Sequence, residues 1–157
     1  MRHMVEISGG GDTSKRHMNK LFSTKKMNGV SLDIKEGHHT TNWGEPNSAS
    51  WFGVPNGNPK FGLTPATIKI DDWLKLQFQA SYSNSYSGFI QDAYVETRES
   101  VCELAQKNKL SSVPMPVLEI DNEPYSIKGQ EGRSRALGAK DGGEKYIPIW
   151  VAARDYY

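Results

Sequence analysis

Residues 113–151, VPMPVLEIDNEPYSIKGQEGRSRALGAKDGGEKYIPIWV, decide how this chain is read. Val113 to Ile120 is an apolar run, Asp121-Asn122-Glu123-Pro124 is a turn-forming cluster, and Tyr125 to Lys128 is a second short run. Gly129-Gln130-Glu131-Gly132 follows, with glycine at each end, and leads into Arg133-Ser134-Arg135-Ala136-Leu137-Gly138-Ala139-Lys140. Gly142 and Gly143 stop that segment, and Tyr146 to Val151 is apolar and β-branched again. Period and punctuation together predict strand, hairpin, strand, tight loop, helix, strand. Arg133 and Arg135 therefore fall in the first turn of a short helix behind a glycine loop. Backbone N–H groups point outward there and the helix dipole favours an anion, so phosphate is the expected ligand.

Upstream of this block the chain is polar and rich in turns. With 157 residues it is long enough for one domain with a buried core and an extension. Lys+Arg of 19 against Asp+Glu of 18 leaves a formal net charge of +1, so no global field draws the chain to DNA or acidic lipid. A hydrophobic content of 36% is low enough to predict long loops. The single Cys102 excludes an intramolecular disulfide and a cysteine-based zinc cluster. No apolar run approaches the roughly 18 residues of a membrane span, and the N-terminus lacks a secretory pattern, so a cytoplasmic location is expected.

Met4 to Ile7 reads as a short strand before Ser8-Gly9-Gly10-Gly11-Asp12-Thr13-Ser14-Lys15. That glycine run lacks Walker spacing and is read as a flexible leader. Lys15, Arg16, Lys20, Lys25 and Lys26 make the next piece basic, with Met18, Leu21 and Phe22 at helical spacing. Val30 to Ile34 alternates as a strand would. From Lys35 to Gly62 glycine, asparagine, proline and aromatics predominate, which predicts a long ordered loop carrying Trp43, Trp51, Phe52 and Phe61. His38 and His39 have no metal-ligand spacing and are expected to make ordinary hydrogen bonds. Ala66 to Ile70 reads as a strand, followed by a helix capped by Asp71 or Asp72 and carrying Trp73, Leu74, Leu76 and Phe78. Ala80 to Gly88 is a serine and tyrosine linker in which Tyr82 and Tyr86 either stack on bases or pack on the neighbouring helix. Phe89, Ile90, Ala93, Tyr94, Val101, Leu104 and Ala105 then form a helical stripe with a break near Thr97, and Cys102 lies beside it as a small semi-buried residue.

Gln130-Glu131-Gly132-Arg133-Ser134-Arg135-Ala136, with a short helix and the Ile147-Pro148-Ile149-Trp150-Val151 strand after it, resembles the signature of the ParB/sulfiredoxin superfamily. There a G-E-R-R-x-R-A or E-G-R-H-R-A box opens the helix and binds nucleotide phosphates. Glu131, Arg133, Arg135 and Ala136 match the box, Gly132 fits its E-G-R variant, and Ser134 stands in place of that variant's histidine. The resemblance implies an α+β fold, a small mixed sheet flanked by short helices, over residues 63–157, with residues 1–62 as a loop-rich N-terminal extension. It also implies phosphate binding by Gly129, Gln130, Gly132, Arg133, Ser134 and Arg135. Glu131 would be the catalytic residue, holding Mg2+ with a nucleoside triphosphate or orienting water for slow NTPase or nuclease chemistry, as expected of small phage, plasmid or mobile-element proteins. Sulfinic-acid reduction is disfavoured, because the box has no cysteine. A full ParB clamp would need a downstream helix-turn-helix, which no residues up to Tyr157 provide.

Two other readings remain open on the residues alone. The arginines can instead pair with carboxylates such as Glu119, Asp121 or Asp141. The chain can also be a non-catalytic module that binds a protein partner through the aromatic-rich segment 43–61.

Overall fold

In the computed structural model of the chain the described residues are 19–27, 29–40, 43, 63–79, 81, 83–113, 115–120, 127–129 and 132–153. Gln130 and Glu131 of the box lie outside them, as do Tyr82, Trp51, Phe52, Phe61, the strand expected at Met4 to Ile7 and the glycine leader.

A helical turn at 19–24 (α1) precedes a small hairpin of β1 (Lys26–Met27) and β2 (Val30–Ser31). The main sheet holds β3 (Ile34–Glu36), β4 (Leu63–Lys69), β5 (Val117–Ile120), β6 (Ile127–Gly129) and β7 (Tyr146–Ala153) in the order β3-β4-β7-β5-β6. β7 is antiparallel to β4 and parallel to β5, so the sheet is mixed. The helices are α2 (Ile70–Gln79), α3 (Tyr86–Gln91), α4 (Val95–Gln106) and α5 (Arg133–Asp141), with a 3-10 turn at Leu110–Ser112. This is an α+β arrangement, with the strand, hairpin, helix and strand of residues 117–153 in the expected sequence.

Strand alternation places one residue in two on the covered face of the sheet. Register aligns Ile34 with Ile68 and Ile68 with Ile147, then Ala66 with Ile149, and Leu118 with Val151; all of these are buried. β3, from the stretch read as an extension, is therefore an edge strand of the main sheet. Leu21, Met27, Leu32 and Trp43 join the same core as Ile147 and Ile149. Loop 37–39 is tied down by Thr67, whose buried hydroxyl donates to Gly37 O (2.7 Å) and accepts from His39 N (2.8 Å). His38 Nε2 lies 3.0 Å from Ile149 O, and its ring sits edge-on to Trp150. Both histidines thus dock a loop by ordinary hydrogen bonds.

Several elements differ from the sequence-based expectation. The stripe from Phe89 to Asn108 is two helices, and the break lies at Asp92–Tyr94 rather than near Thr97. Ser85 caps α3 by accepting from Gly88 N, so a helix starts inside what reads as a linker. The break turns Tyr94 outward, to 76% exposure, although its spacing suits a buried face, and Val95 beside it is 64% exposed. β4 ends at Lys69, and α2 already includes Ile70. Asp71 and Asp72 lie in the first turn of α2 and bind outside it: Asp71 pairs with Lys140 (2.7 Å), and Asp72 accepts from Asp33 N (2.8 Å).

The Asp71–Lys140 pair ties the start of α2 to the end of α5. The hydrogen bond to Lys140 lowers the Asp71 pKa from 3.8, and the same bond raises that of Lys140 from 10.5. A depressed carboxyl stabilises the fold above its unfolded pKa and loses that contribution as pH falls through its folded value. A raised ammonium stabilises below its unfolded pKa and loses its contribution as pH rises through its folded value. The pair is expected to act fully between about pH 4 and pH 10. Its side chains are about half exposed, at 45% and 50%, so solvent screening limits the effect to about 0.5 kcal/mol. Urea unfolding of Lys140→Met against the parent should show that difference at pH 7 and none at pH 2.5; an equal difference at both would exclude the ion pair as its cause.

Candidate functional site

The candidate box opens α5, and its position follows from three close approaches of glycine. Gly132, the residue before the helix, has φ 107°, a left-handed conformation that glycine adopts without a Cβ penalty. A Cβ there would also lie 2.9 Å from Pro116 Cγ. Further along, a Cβ on Gly138 would collide with Arg98 O and lie 2.8 Å from Val101 Cβ. One on Gly142 would lie 2.5 Å from Ala105 Cβ and 2.8 Å from Cys102 O. Ser134, Gly138 and Gly142 are four residues apart and so share one face of α5.

That face meets α4 in constant register. Ser134 lies against Tyr94, Gly138 against Arg98, and Gly142 against Cys102. Both numbers rise together along the contact, so the two helices run parallel and both begin at the same end. Each helix N-terminus carries roughly half a positive charge, and two side by side repel unless an anion or carboxylate stands before them. Arg98, near the start of α4, reaches Asp141 at the end of α5 with two contacts of 2.5 and 3.1 Å, and the hydrogen bond raises the Arg98 pKa.

An open cleft of about 980 Å³ lies at the N-terminal end. One wall is Gly132, Arg133, Ser134 and Arg135; the other is Ser81, Ser83, Asn84 and Ser85, then α3 and the start of α4. Gly132 offers no side-chain cap, and the first bond of the α5 ladder runs from Ala136 N to Gly132 O. The amides of Arg133 and Ser134 thus lie ahead of that ladder, at the cleft. Asp92 lines the same space, and Glu96 sits in the first turn of α4.

Each box residue has a distinct environment. Arg133 Nη1 donates to Phe89 O (3.0 Å) and Nη2 to Asp92 O (3.3 Å), with the guanidinium carbon 4.7 Å from the centre of the Phe89 ring. Its partners are neutral, so its charge is not cancelled by a carboxylate among the described residues. Asp141, one expected partner for the arginines, binds Arg98 instead. Ser134 is buried, and its hydroxyl accepts from Tyr94 N (2.8 Å), which fixes the start of α4 on α5. Arg135 is half-buried and reaches back toward Gly132. Gly129 ends β6, which β5 separates from β7.

The second wall of the cleft is what the sequence reading lacked. Ser81 and residues 83–94 precede α5 by about forty to fifty residues, and only the parallel packing of α4 on α5 brings them to the box. One local signal existed: glycine recurring at Gly138 and Gly142, a spacing that lets helix backbones approach closely. Trp43 belongs to the buried core at 2% exposure, which removes it as an anchor for a protein partner. Among the described residues no group of three or more His, Cys, Asp or Glu could hold a metal ion, and no helix is long and apolar enough to cross a membrane. Comparison with family models, curated proteins and solved structures gives no match.

Proposed function

We propose that this chain is a ParB/sulfiredoxin-like domain that binds the phosphate of a nucleotide or nucleic acid in the cleft at the start of α5. The observation that carries the reading is the convergence of two parallel helix N-termini with Arg133 and Arg135 on one open concavity. Helix amides and guanidinium groups bind phosphate oxygens by charge-assisted hydrogen bonds, and arginine does so with two donors at once. Magnesium is the proposed companion of a triphosphate, since it keeps several waters and needs only one or two carboxylates besides phosphate. Glu131 is the residue proposed to contribute one and to orient water for slow hydrolysis; Gln130 and the Gly129 backbone complete the proposed cradle.

Calorimetric titration of ATP and CTP, each with magnesium, tests the site in wild type and in Arg135→Ala. Binding by wild type and at least a tenfold weaker affinity in the variant are expected, with folding checked by circular dichroism. No binding by wild type, or equal binding by both, would overturn the phosphate reading. Hydrolysis that survives Glu131→Ala would remove that residue from the chemistry.

A further inference from the structure

Only three large apolar side chains are exposed among the described residues, Tyr86 at 38%, Tyr94 at 76% and Val95 at 64%. All fall within ten residues of one another, and of the three Tyr94 lines the cleft that holds the arginines. Tyr86 stacks on Phe89 (6.2 Å, 25°) and meets Phe78 edge-on, so its ring is partly used by the fold. Tyr94 is different. It occupies the N-cap of α4, where a serine, threonine, aspartate or asparagine would accept a hydrogen bond from the first turn, and it makes no side-chain cap. Its ring gains almost no burial. A position that breaks a local rule without a return in packing is where a functional reason is expected.

The placement of that ring supplies the reason. Tyr94 lines the cleft, and its amide is held at 2.8 Å by Ser134, the second residue of the helix that carries Arg133 and Arg135. The exposed ring and the cationic seat therefore belong to one packed unit. A phosphate alone would use the seat and leave the ring in water.

We infer that the cleft takes a phosphate ester that also carries an aromatic ring, of which nucleotides are the general class, and that Tyr94 is the surface on which this ring stacks. This rests on the phosphate reading above. Stacking on a π-face tolerates any base, so adenine and guanine nucleotides bind alike and both exceed pyrimidines through their larger ring area. Phenylalanine at the position preserves the interaction, and serine removes it while restoring a favourable cap.

The test is calorimetric titration of ribose 5-phosphate, AMP, GMP and CMP with wild type, Tyr94→Phe and Tyr94→Ser. AMP is expected to bind wild type at least tenfold more tightly than ribose 5-phosphate. That advantage, read in each protein as the ratio of AMP to ribose 5-phosphate affinity, persists in Tyr94→Phe and disappears in Tyr94→Ser. Equal binding of AMP and ribose 5-phosphate by wild type, or an undiminished advantage in Tyr94→Ser, overturns the stacking role and leaves the phosphate seat standing. Failure of every compound to bind wild type overturns the seat itself. A 5′-phosphorylated tetranucleotide separates the two sources: tighter binding than AMP assigns the cleft to strand ends, and weaker binding assigns it to the free nucleotide.

Discussion

Alanine at Gly138 is expected to lower the stability of the domain by about 1–3 kcal/mol, and valine by more. In an exposed helix the same change would stabilise, because alanine is favoured over glycine by roughly 1 kcal/mol. Packing decides the sign here. The new Cβ would fall on Arg98 O and within 2.8 Å of Val101 Cβ, and neither a backbone carbonyl nor a buried Cβ can swing aside as a side-chain end can. α4 and α5 would have to separate along their length, which would also stretch the bond between Ser134 and Tyr94 at the cleft. The effect therefore reaches the site from a full turn away. Urea unfolding of Gly138→Ala, with Gly142→Ala as a second probe, measures it. A stabilised Gly138→Ala protein would mean that the two helices do not approach as closely as described.

Arg133→Ala is the second large effect, expected at about 2 kcal/mol and concentrated in α3. The guanidinium bonds two carbonyls, at Phe89 and Asp92, and lies over the Phe89 ring. Hydrogen bonds from a charged donor contribute roughly 1.5–3 kcal/mol each when well shielded, and a cation–π contact at an exposed site about 0.5–1 kcal/mol. The Asp92 bond is solvent-exposed and long, so the lower part of that range applies. Lysine keeps the charge but offers a single ammonium in place of the two-pronged plane, and more than half of the loss is expected to remain in Arg133→Lys. Amide exchange over residues 89–92 should quicken in both variants. Unchanged exchange together with an unchanged urea midpoint would show that Arg133 does not hold α3. An incoming phosphate competes with these carbonyls for the same guanidinium, so ligand binding and the attachment of α3 are coupled through one side chain.

The division of labour inside the cleft follows from these contacts. Ser134, expected among the phosphate ligands, spends its hydroxyl on Tyr94 N and so positions the opposite wall. Arg133 shapes that wall as well. The arrangement makes the box both the seat and the frame, which is why substitutions in it are expected to alter stability and affinity together. Measuring the unfolding midpoint beside each titration separates the two.

Much of the second half of the chain was legible without coordinates. Glycines at 132 and 142 bound α5 as read, and the two apolar runs on either side became β5 and β7. The apolar, β-branched run from Tyr146 to Val151 marked a strand, and its Ile147, Ile149 and Val151 are buried in the core. These are consequences of period and punctuation, which act over a few residues and are written locally. Tertiary structure alone decided that β7 would insert between β4 and β5, that β3 would extend the sheet, and that the stripe after Phe89 would break at Asp92. It also decided that Tyr94 would face water beside two arginines rather than the core. The physical reason is that burial of a face depends on which other face arrives against it. Here that was settled by glycines at 138 and 142, which let α5 approach the backbone of a helix about forty residues earlier.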